Sequence, residues 1–423
     1  MSRLADLIVE LCPDGVEYRA LGEMGSLFGG LSGKTKSDFV EVDGACPFVT
    51  YKEVFSLLEI NQIPQGRVLV SSHEKQLALC RGDVLFTGSS ENADEVGLTA
   101  VVTTDFSEPV YLNSFSICLR WYDATFDSGY AKYLFTSSEV RRQIRRCASG
   151  VTRFNLSKKR LEGVSIPVPP LEVQREIARI LDQFTTLEAE LEAELEARRT
   201  QYEHYRNHLL SYESLAARGL VEMVNLGDVA LRVVTGVTPQ ASNARYYEGG
   251  SNPWIRTQDV NFNRISVASE FVTDAAIDEL PLKWVKANCV IVAISGASAG
   301  RSALLGIDAV TNQHCCNLEI DPKRADYRYV YYSIAARYNE LRSLGRGARG
   351  DLNVSIIKSF EIPLPSVDQQ SAVADLLDHF DALVNDISSG LPAEIAARRA
   401  QYEHYRDRLL SFPEKVVSVS DAS

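Results

Sequence analysis

The chain has 423 residues, a formal net charge of −12 and 45% hydrophobic residues. So acidic a chain is not a simple nucleic-acid-coating protein, and no apolar run reaches the ~18 residues that a membrane-spanning helix needs. Length predicts roughly three domains. The eight cysteines are scattered, form no CxxC pair and include the adjacent Cys315-Cys316, which argues against a disulfide frame or a zinc site. That inventory fits a reduced, cytoplasmic protein. So does an opening stretch whose apolar run is interrupted by Asp6 and Glu10, unlike a secretion signal.

In chain order, Leu4, Leu7, Ile8 and Leu11 share one face of a short amphipathic helix that Pro13 ends. From Val16 to about Ser165 a globular unit is expected. Its β-like runs, Pro47–Tyr51, Arg67–Val70 and Val84–Phe86, alternate with turn residues, and helical character follows over Tyr130 to Arg146. Between Val140 and Leu161 lie Arg141, Arg142, Arg145, Arg146, Arg153, Lys158, Lys159 and Arg160, with no acid among them. The spacer that follows carries Glu188, Glu190, Glu192, Glu194 and Glu196. Base therefore falls on the globular part and acid on the spacer.

After Ile166-Pro167-Val168-Pro169 the sequence is rich in strong helix formers and should run unbroken as one long helix. Phe184, Leu187, Leu191, Leu195, Arg198, Tyr202, Tyr205 and Leu209 step by threes and fours, close to a coiled-coil seam. The stretch ARRTQYEHYRNHLLSY, from Ala197 to Tyr212, then returns as ARRAQYEHYRDRLLSF, from Ala397 to Phe412. Two segments this alike mark an internal duplication. Upstream, Ile362-Pro363-Leu364-Pro365 repeats the Ile-Pro run, and Gln174, Asp182 and Phe184 match Gln370, Asp378 and Phe380. The second copy carries four extra residues around Ser388-Ser389-Gly390-Leu391-Pro392, a stop-and-restart signal between two helices. Helices sharing one stripe would most simply pack on each other, antiparallel.

A second globular unit, about Val224 to Glu361, echoes the first. Leu226-Gly227-Asp228 matches Leu21-Gly22-Glu23, Pro253–Val260 matches Pro47–Val54, and Ala287–Val292 matches Arg81–Phe86. Asn353-Val354-Ser355 is read as the counterpart of Asn155-Leu156-Ser157. Its basic residues Arg337, Arg342, Arg346, Arg349 and Lys358 are diluted by Glu340 and Asp351. The tail from Pro413 is polar and expected to be disordered.

Three motifs offer chemistry, and each falls short. Gly29–Lys36 resembles a phosphate-binding loop but has three residues between Gly29 and Gly33 where four are needed, and no clear strand before it. Gly296-Ala297-Ser298-Ala299-Gly300 matches a serine nucleophile elbow, and a serine hydrolase using Ser298 is the main alternative reading. Its one nearby histidine, His314, is close in sequence, and the matching stretch Gly88–Asn92 lacks the pattern. His204 and His208 have metal-binding spacing, but the second copy has Arg408 and no third ligand is evident. Asn252-Pro253-Trp254 is not the signature of amino-methyltransferases. No catalytic constellation emerges. A purely structural coiled-coil protein is the other alternative.

The duplicated RRxQYEHYR helices, the IPxP…Q lead-in to each, the stretch Ser389–Ile395 and the Leu-Gly-Glu/Asp start of each globular unit resemble type I restriction-modification specificity subunits over the whole chain. The resemblance implies an α+β fold. Two target recognition domains with twisted, barrel-like sheets would be separated by two long antiparallel coiled-coil helices in a pseudo-two-fold repeat. The expected segments are 1–168 (first recognition domain), 169–212 (central spacer helix), 213–365 (second recognition domain), 366–412 (C-terminal spacer helix) and 413–423 (tail). Expected partners are double-stranded DNA and two modification (methyltransferase) subunits, with restriction subunits left open, and no membrane. S-adenosylmethionine would sit on the modification subunit and no cofactor in this chain.

Base-edge readout suits Lys34, Lys36, Tyr51, Lys52, Ser89, Ser90 and Asn92 in the first unit, and Arg256, Gln258, Ser298, Arg301, Asn312 and Gln313 in the second. Arg141, Arg142, Arg145, Arg146, Lys158, Lys159, Arg346 and Arg349 suit phosphates. Arg198, Tyr202, Arg206, Arg398, Tyr402 and Arg406 are assigned to helix packing and partner docking.

Overall fold

The computed structural model describes residues 3–71, 73–347, 350–385 and 391–415. The chain divides into two compact units, Met1–Glu190 with Ile395–Ser423, and Leu191–Glu394. Both boundaries fall within helices.

In the first unit, a five-stranded sheet has the order Gly25–Gly29, Ser116–Trp121, Val84–Thr87, Thr99–Val102, Glu59–Ile60. Only the last pairing is parallel. A three-stranded sheet follows with Cys46–Val49 central, antiparallel to Gly66–Val68 and parallel to Tyr111–Leu112. The second unit repeats both. Its five strands run Ala230–Thr235, Cys315–Ile320, Val290–Ala293, Ser302–Leu305, Arg264–Ile265, again with only the last pairing parallel. Its three strands have Asn252–Ile255 central, antiparallel to Glu270–Val272 and parallel to Val310–Thr311. These strand orders end in two edges each, so the described sheets are open.

The central strands read as unbroken apolar runs because both faces are covered. Side chains alternate across the sheet. Val84 and Phe86 therefore join the core under helix Ser128–Leu134, with Tyr130 and Leu134, while Leu85 joins a second core with Val54 of helix Tyr51–Ser56. In the second unit, Val290 and Val292 pack with Tyr329 and Ile334, and Ile291 and Ala293 enter the opposite core with Ile255.

Each unit closes with a strand pair, Glu17–Ala20 on Ser165–Val168 and Glu222–Asn225 on Glu361–Leu364, and the Ile-Pro runs lie in these strands. A buried glutamine then fastens the outgoing helix. The Gln174 side chain accepts from Asp127 N (2.8 Å) and donates to Thr125 O (2.9 Å) and Pro169 O (2.7 Å). Gln370 accepts from Asp326 N (2.9 Å) and donates to Arg324 O (3.4 Å) and Pro365 O (2.8 Å). Asp127 and Asp326 in turn cap helices Ser128–Leu134 and Tyr327–Ala336. Tyr133 Oη donates to Asp182 (2.6 Å) and Tyr332 Oη to Asp378 (2.7 Å). The glutamines and aspartates are the ones repeated in the sequence, which explains their spacing.

The central helix spans Leu171–Leu209, 39 residues without a break. Its counterpart comprises Val367–Asn385 and Leu391–Leu409. The stop signal at 388–390 lies outside the described residues, and Pro392 sits in the first turn of the later helix, where it needs no backbone donor. Within each unit the shared stripe packs against another stretch of the long helices. In the first unit Phe184 lies against Tyr402 and Tyr405, and Glu188 pairs with Arg399 (2.5 Å), so the contacts run in opposite sequence directions. In the second unit Tyr202 and Tyr205 line a groove with Phe380 and Val384. Each QYEHYR copy thus seats on the helix that leaves a recognition unit. The reason is burial: Tyr202 belongs to the second unit's core with Tyr331 and Leu377, and Leu410 and Phe412 belong to the first's.

Three further differences from the sequence reading have local causes. Helix character over 130–146 divides into Ser128–Leu134 and Ser138–Arg146, because Thr136 and Ser137 turn their hydroxyls onto the carbonyls of Tyr133 and Leu134. Residues 413–415 are ordered: Val16 N donates to Pro413 O and Lys415 N to Val16 O, each at 2.9 Å. Asn353 corresponds to Ser157, not Asn155, since each caps the short helix after it and the leucine before each donates to the carbonyl of Gly88 or Ile294. Among the described residues no helix is long and apolar enough to cross a membrane.

Candidate nucleic-acid interface

In the first unit, Tyr51, Ser89 and Ser90 come together, lining an open cavity of about 400 Å³ with Phe55, Glu91, Glu95, Phe115 and Arg153. Ser89–Ser90 forms a three-stranded sheet with Phe154–Leu156 and Ala148–Ser149. Tyr51 Oη donates to Ser89 O (2.7 Å), and Arg153 Nη2 donates to Ser89 Oγ (3.1 Å). Burial raises the Tyr51 phenol pKa, so it stays a donor. Glu95 accepts from Ser90 Oγ (3.3 Å) and Asn92 Nδ2 (3.2 Å). Phe115 projects from a tight corner: Asn113 Oδ1 accepts from its backbone N (2.9 Å), and a Cβ on Gly88 would stand 2.4 Å from its carbonyl oxygen.

Phe55, Glu91, Glu95, Phe115 and Arg153 were not singled out as base-reading candidates. Arg153 was visible within the basic run, but nothing local distinguishes it from its neighbours. The hairpin pairing that brings it to Ser89 is a long-range contact.

Other candidates are placed differently. Lys34 is not free to reach a base: its side chain is 5% exposed, and Nζ donates to Glu74 (2.7 Å) and Leu69 O (2.5 Å). Lys36 and Lys52 are exposed on two short helices. Arg141 spends its guanidinium on the carbonyls of Gly97, Val96 and Asp94, and burial and the Arg145 charge lower its pKa to about 10. It is a scaffold residue, not a phosphate clamp. Arg142 and Arg145 form exposed ion pairs with Glu139 and Asp94, weak enough to be exchanged for phosphate. Arg146, Lys158 and Lys159 are exposed with no ion pair among the described residues. Arg346 is exposed, its backbone bridged to Asp351, and Arg349 lies outside the described residues.

In the second unit, Arg256 pairs with Glu270 (3.2 Å) and lies over the Trp254 ring (5.8 Å). Asn312 is buried, and its Oδ1 accepts from His314 N (3.1 Å) as Asn113 does from Phe115. Both are held by the fold. Gln258 faces Ser269 (3.5 Å), Arg301 donates to Asn261 Oδ1 (2.9 Å), and Gln313 meets His314 (3.3 Å). Ser298 ends a short 3₁₀ turn, Gly296–Ser298, that leads into strand Ser302–Leu305. A nucleophile elbow instead leads from strand to helix.

On the repeated helices, Arg206 lies over Tyr202 and Arg406 over Tyr402, each at 5.8 Å. Burial pushes the Tyr402 phenol up to about 12 and raises Tyr202 as well. Arg198 pairs with Glu194 (3.3 Å), and Arg398 donates to Gln401 (3.3 Å). All six residues assigned to packing and docking therefore lie on the helices, four of them in two matching aromatic–cation pairs.

Residues 13–197 and 219–397 match the family model described as the type I restriction modification DNA specificity domain. The specificity subunit of the type I restriction enzyme EcoR124I/EcoR124II of Escherichia coli is 34% identical over 270 residues, covering 61% of this chain and 65% of that protein. The MjaVIII specificity subunit of Methanocaldococcus jannaschii is 21% identical over 328 residues, covering 73% and 75%. A chain from a structure addressing complex assembly and conformational transition of the type I restriction-modification system is 15% identical. It superposes with TM-score 0.69 over 94% of this chain and 98% of that one. The HsdS subunit of Thermoanaerobacter tengcongensis, 16% identical, gives 0.51 over 95% and 96%. The structural likenesses speak to the fold, and the family match covers both globular units and most of the helices. The chain belongs to the type I restriction modification DNA specificity domain family.

Proposed function

We propose that each globular unit reads one half of a bipartite double-stranded DNA target, and that the helices dock two methyltransferase subunits and set the distance between half-sites. The observation that carries this reading is a repeated scaffold with different chemistry at its turns. The five-stranded sheets and the three-stranded sheets centred on Cys46–Val49 and Asn252–Ile255 share one strand order, yet Ser89 is held by a cation while Ser295 donates to the Asp351 carboxylate. A fold repeated for its own stability would not need that divergence.

The recognition domains correspond to 1–168 and 213–365, the spacer helices to 169–212 and 366–412, and the tail to 413–423. The helices pair as an antiparallel coiled coil. At ~1.5 Å per residue the central helix is roughly 58 Å long, which makes it a ruler. Base readout falls to Lys36, Tyr51, Lys52, Ser89, Ser90 and Asn92, and to Gln258, Ser298, Arg301 and Gln313. Phosphate contact falls to Arg142, Arg145, Arg146, Lys158, Lys159, Arg346 and Arg349. The Tyr202–Arg206 and Tyr402–Arg406 pairs support two docking sites of like chemistry. S-adenosylmethionine and the methyl-transfer chemistry belong to the docked subunits, a restriction subunit can join the same assembly, and the complex works in the cytoplasm.

Exchange of residues 224–361 for the equivalent stretch of a relative tests this. Methylome sequencing of a host that expresses the chimaera with its modification subunit should show one half of the methylated motif changed and the other retained. Change in both halves, or in neither, refutes the modular reading.

A further inference from the structure

The first unit carries an element that the second lacks among the described residues: the hairpin Ala148–Ser149 and Phe154–Leu156, joined to Ser89–Ser90. Among the described residues of the corresponding stretch in the second unit, Arg346 and Asp351 form a single bridge. The hairpin turns through Gly150 at φ +144°, where a Cβ would stand 1.9 Å from the Arg153 carbonyl, so the turn accepts no side chain there. Val151 at its tip is 91% exposed.

Arg153 is held differently from Arg141, Arg142 and Arg145. Arg141 is consumed by backbone carbonyls, and Arg142 and Arg145 rest in exposed ion pairs with carboxylates. The Arg153 guanidinium makes one hydrogen bond, Nη2 to Ser89 Oγ, which fixes it while leaving its other donors without a partner among the described residues. Glu91 lines the same cavity, is exposed, and has no hydrogen bond or ion pair among the described residues. An unpaired carboxylate beside DNA is repelled by phosphates and by the carbonyl acceptors of guanine and thymine. It is tolerated where an amino group meets it. Phe115, 61% exposed, borders the cavity as an apolar wall.

We propose that this hairpin enters the DNA major groove as a two-stranded ribbon and reads one G·C pair from both sides. Arg153 donates to guanine O6 and N7, and Glu91 accepts from the cytosine amino group. A two-stranded ribbon fits the major groove, and Arg–guanine and Glu–cytosine are the pairings their donor and acceptor geometry favours. Arg146, Lys158 and Lys159 flank the hairpin in sequence and supply the phosphate contacts that hold it in register. The inference rests on the DNA-recognition reading above and deepens it at one unit.

The test uses the full chain assembled with its modification subunits, on an oligonucleotide panel replacing each base pair of the methylome-defined target in turn. Wild-type complex should lose about tenfold to a hundredfold in affinity at one G·C pair of the first unit's half-site. Arg153→Gln should abolish that discrimination there and nowhere else, and Glu91→Gln should weaken it at the same pair. Lys158→Ala with Lys159→Ala should instead lower affinity for every sequence alike and flatten the salt dependence. If Arg153→Gln loses all binding, Arg153→Lys decides: relaxed discrimination at one pair supports the proposal, and full stringency at every pair overturns it. A first half-site without a G·C pair also overturns it, as does unchanged discrimination in both Arg153→Gln and Glu91→Gln. Failure of the DNA-recognition reading would look different, since the wild-type complex would then discriminate at no position.

Discussion

The two recognition units are built on one plan and differ where the plan does not constrain them. Both have the same five-strand and three-strand orders, the same strand closure over an Ile-Pro run, and the same buried glutamine and Tyr–Asp bond onto the outgoing helix. At the turns they part. The first unit has a hairpin bearing Arg153, and the second has Ser295 Oγ and Gly296 N donating to Asp351. They also differ at the QYEHYR helices. Asp407 accepts from Ser138 N (3.1 Å) and Oγ (2.5 Å), capping a helix whose own N-cap, Ser137, makes no side-chain cap bond. Its counterpart Asn207 borders an open cleft of about 570 Å³ with Tyr338 and Asn339. Groups that satisfy buried backbone are repeated, because losing one leaves a polar atom dry. Groups that face outward are free to diverge.

The sharpest way to break that comparison is to remove the repeated glutamines. Gln174→Ala leaves one backbone donor and two carbonyls unsatisfied at a buried site and should cost roughly 3 kcal/mol. Gln370→Ala should cost somewhat less, because its bond to Arg324 O is longer (3.4 Å against 2.9 Å). Chemical denaturation of each variant, followed by unit-specific hydrogen exchange, should show each loss confined to its own unit. Equal, negligible effects would mean the glutamines are not the fasteners described.

A smaller effect separates Asp407 from Asn207. Loss of a helix cap costs about 1 kcal/mol, so Asp407→Ala should lower the midpoint of the first unit, with faster exchange over 138–142. Asn207→Ala should leave the second unit within experimental error. A matched loss in both would erase the asymmetry.

The smallest expected effect is a local pH dependence at the Lys34–Glu74 pair of the first unit. Lys34 holds the Glu74 carboxylate down at about 2 from its ordinary 4.5, with Gln76 and the Ser71 amide also donating to it. Because the folded pKa is depressed, this stabilisation is complete above about 4.5 and is lost as pH falls toward 2. In the second unit the long loop is tied by Tyr247 Oη to Pro239 O (2.6 Å), Trp254 Nε1 to Val237 O (3.3 Å) and the Arg245–Glu279 ion pair (2.5 Å). Amide exchange over 69–76 should accelerate between pH 4.5 and 2.5, and Glu74→Gln should remove that acceleration. Exchange that stays flat in the wild type refutes the ion pair's role.

Much of the architecture is local and was therefore legible in the chain. Leu4, Leu7, Ile8 and Leu11 mark the first helix, realised as Arg3–Leu11. The unbroken run of helix formers marks the central one, and the IPxP…Q repeats mark where each unit closes. Intrinsic preference and short-range periodicity decide such elements without reference to the rest of the molecule. The candidate site was legible only in part. Tyr51, Ser89 and Ser90 announce themselves as turn and strand-end residues, and their assembly into one cavity was not visible.

By itself the sequence determined that there are two like halves, where their helices lie and which polar residues recur. Tertiary structure alone decided which helix each QYEHYR copy sits on, because a stripe records that a face is buried but not against what. It also decided the fate of each charge. In sequence Lys34 and Arg141 each look like any other surface cation, yet Glu74 and Leu69 O consume the first and three backbone carbonyls the second. Arg153, from the same basic run, is left with donors to spare. Partners distant in sequence fix whether a cation is structural or available, and no local pattern encodes them.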